Sequence, residues 1–337
     1  MNENERVKII FLADSHLGFD YPIKPRIKRR RRGDDFFNNF KTVLNYAVDN
    51  KADLVLHGGD FFFRAKLPSK IVDISYGILT EFAEHKIPFV IVPGNHERSK
   101  MPVSIFLENP YLHIFNEPKS FNFEIKGSKL SVSGFPCERK EIRDKFSDLI
   151  KSSNPDLTAD IKLLLVHQTF EGSQVINYTF RYGKDIIRFD SVPETFDAIL
   201  SGHIHRSQIL VKRFQNKRVP VIYPGSIERT SFQERTEEKG FYEIIYTKRD
   251  NGEWKMKELN FKILPTRPMI DIELSRQMNE EELTKFLISE IDKIDENSIV
   301  RLKVKNENLI PLLKSEFLRE IFPETMNYEL SGVRIFK

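Results

Sequence analysis

Residues 52–60 read Ala52-Asp53-Leu54-Val55-Leu56-His57-Gly58-Gly59-Asp60, a short apolar run followed by two glycines and a carboxylate. An apolar run of this length that stops at glycine predicts a buried strand. Glycine allows the backbone to come close to a ligand, so we expect the strand to end in a cleft that receives the Asp60 side chain. Asp60 is therefore a candidate metal ligand.

Four other predicted strands also end in side chains that bind metals. Asp14 and His16 follow residues 7–13, Asn95 and His96 follow residues 89–93, His167 follows residues 161–166, and His203 and His205 follow residues 196–202. One histidine beside an apolar strand is usually structural, but five successive strand ends in this arrangement predict a shared site. Carboxylate, imidazole and amide donors without cysteine favour Mn, Fe or Zn.

The composition is that of an ordinary globular protein. With 337 residues, 40% hydrophobic and 12% aromatic, the chain can form one large and one small domain with real cores. No apolar run approaches the roughly 20 residues that span a membrane, and the first residues lack a signal-peptide pattern. We therefore expect a cytoplasmic protein without membrane contact. The single cysteine, Cys137, excludes an internal disulfide and is expected to be inert.

The positive charge of the chain is local. The net charge is +4, but seven lysines and arginines lie within residues 24–32, and without them the balance is slightly negative. This distribution argues against a protein coated in positive charge and favours one basic segment at a defined place. Such a segment is either a solvated tether or a contact to the phosphate backbone of a nucleic acid.

The hydrophobic periodicity predicts an α/β fold. Strand, ligand loop, helix and strand follow one another at the amino end, and Asp34 or Asp35 can cap the first helix. Alternating residues around 121–133 predict a hairpin, and residues 168–190 form a long aromatic-rich loop. Mixed strands with flanking helices suggest a layered sandwich. Further helices are expected at residues 68–85 and 142–152, and further strands at residues 207–212, 219–223, 240–247 and 254–263.

The segment Pro265-Thr266-Arg267-Pro268 interrupts this pattern and marks the predicted domain boundary. The domains are then residues 1–264 and residues 265–337. The second is a small βαβαβ unit without candidate catalytic residues. Its strands are expected at residues 269–274, 299–304 and 328–335, and its helices at residues 280–292 and 309–320.

The ligand blocks together form a recognisable signature. They read Asp-x-His, Gly-Asp, Gly-Asn-His, His and Gly-His-x-His, and in this order the sequence resembles the calcineurin-like metallophosphoesterases from Asp14 to His205. Residues 224–232 and 237–241 resemble the block after the last ligand pair in the SbcD-type repair nucleases, the meiotic recombination eleven family. The resemblance covers nearly the whole chain. It implies a layered αββα metallophosphoesterase sandwich with a small C-terminal α+β capping domain.

The resemblance also implies a two-metal centre. Position by position, it assigns one ion to Asp14, His16, Asp60 and His205 and the other to Asp60, Asn95, His167 and His203. Both ions are expected to be divalent, with Mn first and Fe or Zn as alternatives. A shared carboxylate such as Asp60 offsets the repulsion between two cations about 4 Å apart. His96 is implied as the group that protonates the leaving oxygen or stabilises the transition state, whereas His57 is expected to support a ligand or to pack.

The leading interpretation is a DNA phosphodiesterase that acts as an endonuclease or a limited exonuclease. Two alternatives are a phosphodiesterase or phosphatase for a small phosphate ester, and a non-catalytic module that binds DNA ends and keeps a metal cluster. Aromatic residues within 178–182 could stack on unpaired bases. The side chains expected to hold phosphate oxygens or the DNA backbone are Arg98, Arg206, Arg229, Arg29, Arg30, Arg31 and Arg32.

Two departures from the family pattern refine these expectations. The family typically has a histidine three residues after the bridging aspartate, and this sequence has Phe63, which can neither donate a proton nor bind phosphate. The family usually continues after the small domain into a helical segment that grips an SMC-like ATPase, whereas this sequence ends at Lys337. Such an ATPase is therefore expected to be absent or to bind differently, and a homodimer is an alternative assembly.

Overall fold

The computed structural model describes residues 5–20, 29–98, 101 and 109–332 and divides the chain into two compact units. The large unit comprises Met1–Phe19, Phe36–Arg229 and Glu237–Leu264, and the small unit comprises Asp20–Asp35, Thr230–Thr236 and Pro265–Lys337. The last passage between the units falls between Leu264 and Pro265, where the prolines lie. The sequence did not indicate that two earlier segments join the small unit.

The large unit is built mainly from two six-stranded sheets. Their orders are β16-β15-β1-β2-β3-β4 and β13-β14-β12-β7-β6-β5. The strands are β1 (Arg6–Leu12), β2 (Leu54–His57), β3 (Phe89–Ile91), β4 (Leu112–Ile114), β5 (Lys119–Ile125), β6 (Ser128–Gly134), β7 (Ile161–His167), β8 (Thr169–Phe170), β9 (Gln174–Val175), β10 (Tyr178–Thr179), β11 (Ile186–Ile187), β12 (Ala198–Gly202), β13 (Gln208–Arg213), β14 (Arg218–Tyr223), β15 (Gly240–Lys248) and β16 (Trp254–Ile263). The helices are α1 (Arg32–Asp49), α2 (Ser69–Ala83) and α3 (Ile142–Ser152).

The two sheets pack face to face around one apolar core. Val7 of β1 and Leu56 of β2 belong to the same buried cluster as Leu163 of β7. On the outer faces, Phe146 of α3 joins the cluster behind the second sheet, and Phe40 of α1 contacts the ring of Phe89 behind the first. This order of helix, sheet, sheet and helix confirms the predicted layered α/β sandwich.

Parallel pairing places the strand ends that carry candidate ligands at common edges. In the first sheet, β2 is parallel to both β1 and β3, and in the second sheet β12 is parallel to β7. Two glycines allow these edges to approach each other. A Cβ on Gly58 would overlap the backbone nitrogen of Gly202, and a Cβ on Gly202 would overlap the Gly58 carbonyl. Glycine is therefore required at both positions for the sheets to meet.

Most elements of the large unit lie where the periodicity indicates. Helix α3 has the predicted bounds, and β5 and β6 form the predicted hairpin. The prediction of one long loop at residues 168–190 is wrong, because this segment contains the four short strands β8 to β11. Strands of two residues carry too little periodicity to be recognised in a sequence. Within the described residues, no helix combines the length and the apolar character that crossing a membrane would need.

The small unit contains a parallel three-stranded sheet in the order β17-β18-β19. Its elements are β17 (Met269–Leu274), α4 (Glu280–Ile291), β18 (Ile299–Val304), α5 (Ser315–Ile321) and β19 (Asn327–Ser331). The helix expected at residues 309–320 is wrong in its first half, which forms a 3-10 turn at Glu307–Leu312. Pro311 lies in this turn, and its missing N–H prevents a continuous α-helix. Residues 333–335 of the third predicted strand lie outside the described residues.

Candidate metal centre

The loops that follow β1 and β2 are joined by backbone hydrogen bonds. The Asp14 N–H donates to the Gly59 carbonyl at 2.9 Å, and the His16 N–H donates to the Asp60 carbonyl at 3.0 Å. The loop after β12, which belongs to the second sheet, is attached to the loop after β1, because the backbone N–H of His203 donates to the Asp14 carboxylate at 3.0 Å. The structure thereby brings together all the predicted ligands, namely Asp14, His16, Asp60, Asn95, His167, His203 and His205.

Four of these residues have left-handed backbone conformations. The φ angles are 51° at Asp14, 42° at His16, 49° at Asp60 and 85° at His203. Each such residue costs of order 1 kcal/mol or more, and such strain is typical of functional sites. The surrounding hydrogen bonds hold these conformations, so the loops are shaped to present side chains rather than to minimise local energy.

One ligand group consists of Asp14, His16 and His205, whose ligand atoms all lie within 4.8 Å of one another. The Nε2 atoms of His16 and His205 are 2.9 Å apart, and His205 Nε2 lies 3.8 Å from Asp14 Oδ1. The Nδ1 atom of His16 is buried and has no hydrogen-bond partner among the described residues. Two imidazole nitrogens that face each other beside a carboxylate form a natural cation site.

A second group consists of Asp60, His167 and His203, again with ligand atoms within 4.8 Å. His167 Nε2 lies 3.4 Å from Asp60 Oδ2 and 3.1 Å from Asn95 Oδ1, so the amide oxygen belongs to this group. The other nitrogen of His167 donates to the Gly58 carbonyl at 2.7 Å, which leaves Nε2 without a proton in a neutral ring. That arrangement prepares Nε2 to bind a metal ion.

Burial and mutual charge shift the pKa values of the ligands. Burial raises the pKa of Asp14 to about 6 and lowers the pKa of His16 well below its usual range. Burial would also raise the pKa of Asp60, but the neighbouring His167 outweighs it and holds the pKa of this carboxyl well below its usual range. Burial likewise disfavours the charged His167, yet the Asp60 charge raises the pKa of this imidazole to about 9. Asp60 therefore strongly favours positive charge beside it.

The donor set fits divalent metal ions. It offers carboxylate and amide oxygens with imidazole nitrogens, which suit Mn, Fe and Zn. A third group, formed by His16, Asp60 and His96, shares His16 with the first group and Asp60 with the second. Asp14, His16, Asp60 and His167 are almost fully buried, whereas His203 and His205 face solvent in part. The centre is thus a depression. Its base is formed by the buried side chains of Asp14, His16, Asp60 and His167, and its accessible rim carries His203 and His205.

His96 lies on this rim and is 35% exposed. Its backbone N–H donates to Asp60 Oδ1 at 2.9 Å, and the ring nitrogen Nδ1 contacts the Phe63 carbonyl. A carbonyl only accepts, so Nδ1 carries a proton and Nε2 faces the site, 3.8 Å from Asp60 Oδ2. The ring can exchange a proton with a substrate through Nε2. The Phe63 ring lies 5.7 Å from the His96 ring, so its contribution here is a backbone acceptor and an apolar neighbour.

Glu97 is a supporting residue that the sequence pattern alone did not indicate. Its carboxylate is 3% exposed and accepts from the Phe62 N–H at 2.6 Å and the Gly94 N–H at 2.8 Å. It therefore ties the loop after β2 to the loop after β3. Its position directly after Asn95 and His96 was the available signal, but a buried carboxylate that binds backbone cannot be told from an exposed one by sequence.

The predicted phosphate-binding arginines have different surroundings. Arg98 and Arg206 are exposed, and Arg98 has a left-handed backbone with a φ of 55°. Arg229 is half-buried and donates through Nε and Nη2 to the Glu237 carbonyl, at 3.2 and 3.0 Å. In the large unit, Arg98 and Arg206 are thus accessible guanidinium groups next to ligand loops.

The basic run contributes to the small unit. The Arg29 guanidinium donates to the carbonyls of Phe322 and Met326, at 3.1 and 2.7 Å, and lies over the Tyr328 ring. Arg30 forms an ion pair with Asp35 at 2.6 Å. Arg31 donates to the Asp20 carbonyl and the Arg32 N–H to its carboxylate, whereas residues 24–28 lie outside the described residues. A contact between Arg29 to Arg32 and DNA stays a prediction.

Comparisons with known proteins agree with this geometry. Residues 7–207 match the family model of the calcineurin-like phosphoesterases. The DNA double-strand break repair protein Mre11 of Methanocaldococcus jannaschii is 24% identical over 310 residues, which cover 88% of this chain and 76% of that protein. The protein of the same name from Archaeoglobus fulgidus is 24% identical over 344 residues, covering 96% and 73%.

Among solved structures, the NAD nucleotidase of Haemophilus influenzae superposes with a TM-score of 0.45 at 13% identity, over 93% of this chain and 68% of that one. This likeness is too low to bear on function. The family model, in contrast, spans every strand end that carries a ligand. The chain belongs to the calcineurin-like phosphoesterase family, whose chemistry is the hydrolysis of phosphoesters with divalent metal ions.

Proposed function

We propose that this protein is a Mn-dependent phosphodiesterase that cleaves DNA. The observation that carries the proposal is that the group of His16, Asp60 and His96 joins the two other ligand groups, through His16 and Asp60, at an accessible edge of the sandwich. The relatives named for DNA double-strand break repair support the choice of substrate, because the similarity extends over most of the chain. A cytoplasmic location, in contact with DNA, belongs to the same proposal.

The proposal assigns one ion to Asp14, His16, Asp60 and His205 and the other to Asp60, Asn95, His167 and His203. When bound, two divalent ions supply an acidified water molecule and draw charge from the phosphate in the transition state. The chain itself provides the shared carboxylate and the orientation of each imidazole. His167 is oriented by the Gly58 carbonyl and His96 by the Phe63 carbonyl, so both rings present Nε2 to the site.

The accessible rim supports a large substrate. His96 is partly exposed, and Arg98 and Arg206 are exposed residues of ligand loops, so their guanidinium groups can hold phosphate oxygens of a long substrate. Such contacts bind a backbone without reading its sequence. An SMC-like ATPase and a second copy of the chain are proposed partners by similarity alone.

The deciding experiment offers Mn2+ with single-stranded DNA, nicked duplex DNA and bis-(p-nitrophenyl) phosphate in parallel. We expect cleavage of DNA that needs Mn2+ and weakens as salt rises, because phosphate contacts are screened. Hydrolysis of the chromogenic diester without any DNA cleavage, at any salt concentration, would favour a small phosphate ester instead. DNA binding without hydrolysis of any of the three substrates would indicate a binding module.

His96→Asn is expected to retain metal and DNA binding but to lower the rate about a hundredfold, the usual contribution of a positioned proton donor. The loss should appear in kcat rather than in KM, because the ring acts on the reacting phosphate. The measurement is the steady-state rate on DNA in Mn2+, beside a Mn2+ titration. His113→Asn, at a histidine that packs against Phe121 away from the ligand loops, is the matched control. An unchanged kcat in His96→Asn would remove His96 from the mechanism.

A further inference from the structure

His57 is a buried histidine beside the metal centre that belongs to none of the ligand groups found among the described residues. It is the last residue of β2, and the rings of Phe40, Phe61 and Phe89 lie 6.4, 5.4 and 6.1 Å from its own. A phenylalanine would fill this aromatic surrounding with no polar atom to satisfy. A buried imidazole is stable there only if its nitrogens have partners.

Both nitrogens of His57 do have partners, and these lie in two ligand loops. The Gly59 N–H donates to Nδ1 at 3.2 Å, so Nδ1 is an acceptor. In a neutral imidazole the proton must then lie on Nε2. Nε2 consequently donates to the hydroxyl oxygen of Ser15, which is 2.7 Å away and fully buried. The imidazole forms a polar link through an otherwise apolar region.

The two ends of this link adjoin the ligands themselves. Ser15 lies between Asp14 and His16, whose φ angles are 51° and 42°, and Gly59 precedes Asp60, with φ angles of 97° and 49°. Apart from Gly59, these left-handed residues are unfavourable and persist only where other contacts impose them. The backbone hydrogen bonds between the two loops are one such constraint. The side chain of His57 supplies a second, because it contacts Ser15 in one loop and Gly59 in the other.

We propose that His57 is a positioning residue that fixes the Asp14–His16 loop against Asp60 and so sets the spacing of the metal ligands. This inference rests on the proposed function, because it assumes that these ligand groups bind metal ions. Without the link, the left-handed residues of the Asp14–His16 loop can relax toward ordinary backbone angles. Asp14 and His16 would then move relative to Asp60, and metal affinity would fall although the fold persists.

The test is a Mn2+ titration of the metal-stripped protein, followed through the EPR signal of unbound Mn2+. We expect His57→Phe to bind at least one ion about 10- to 100-fold more weakly than the wild type, as when a group that orients a ligand is lost. His57→Gln keeps a donor near the position of Nε2 and should recover most of the affinity. His113→Phe makes the same change at a half-buried histidine outside the site and should bind as the wild type does.

Ser15→Ala removes the other end of the link without touching the aromatic surrounding, and it decides the matter if His57→Phe fails to fold. It should weaken Mn2+ binding by a similar factor, and the double variant should be no weaker than His57→Phe alone, because both changes break one link. Wild-type Mn2+ affinity in either single variant would overturn the proposal. If the metal-stripped variants also had a lowered Tm, that unchanged affinity would show that His57 and Ser15 contribute to packing alone.

The readout separates this inference from the proposed function. A wild-type protein that binds two Mn2+ ions and cleaves no DNA would contradict the proposed substrate, and the affinity losses in the variants would still support the role of His57. Conversely, active DNA cleavage with wild-type affinity in His57→Phe would remove the role of His57 and leave the proposed function intact.

Discussion

Asp60→Asn is expected to lower the rate of phosphodiester hydrolysis about a thousandfold, which corresponds to about 4 kcal/mol of lost metal assistance. Asparagine has the shape of aspartate and keeps an oxygen for the backbone N–H of His96. In the wild type this N–H donates to Asp60 Oδ1 at 2.9 Å. Asparagine lacks the negative charge that two of the ligand groups share. The measurements are the initial rate in Mn2+ and a Mn2+ titration, in which at least one ion should no longer bind.

Asp53→Asn is the matched control, since Asp53 lies at the other end of the same short segment. Its carboxylate accepts from the Lys8 N–H at 2.8 Å and from Lys126 Nζ at 2.9 Å, and it precedes β2, whereas Asp60 follows that strand. Partly exposed pairs of this kind contribute about 1 kcal/mol or less. We expect a small loss in the free energy of unfolding and an unchanged rate. Two Mn2+ ions bound with wild-type affinity by Asp60→Asn would contradict the bridging role.

Gly94→Ala is expected to lower the free energy of unfolding by about 2 kcal/mol and to weaken metal binding as well. A Cβ at Gly94 would overlap both Oδ1 and the backbone nitrogen of Asp60. The backbone atom cannot move without shifting the whole loop after β2, so the strain falls directly on the central ligand. Urea denaturation of the metal-stripped protein measures the first effect, and Mn2+ titration measures the second.

Gly77→Ala provides the control with the opposite sign. Gly77 is exposed within α2, and an added Cβ meets nothing within 4 Å. Because glycine in a helix interior costs about 0.5–1 kcal/mol relative to alanine, this variant should be more stable than the wild type and bind Mn2+ equally well. If Gly94→Ala behaved like Gly77→Ala, the close packing of Gly94 against Asp60 would be refuted.

Much of the centre could be anticipated because its ligands directly follow strands. An apolar run of five to seven residues is a local signal, and parallel strands deliver the residues after them to one edge of a sheet. Asp14, Asp60 and His167 could therefore be named as candidate ligands from position alone. The bounds of α3 were predictable for a related reason, since Ile142 and Phe146 lie on one apolar helical face.

Other features had no local signal. In the sequence, Arg29 and Arg30 belong to a basic run that fits either a solvated tether or a nucleic-acid contact, yet in the structure their guanidinium groups bind the backbone and a carboxylate of the small unit. The partners of Arg29 lie nearly 300 residues further along the chain, and no periodicity reports on such a distance. For the same reason the sequence did not reveal that residues 20–35 and 230–236 belong to the small unit.

The sequence by itself determined which chemistry this protein can perform, because the donor types and their places after strands are written in adjacent residues. Tertiary structure decided how those donors are held. Gly58 and Gly202 let the two sheets meet, Glu97 joins the loops after β2 and β3, and His57 reaches Ser15 through the interior. These contacts join residues far apart in the chain, and each depends on the shape of the space around it, which no local pattern encodes.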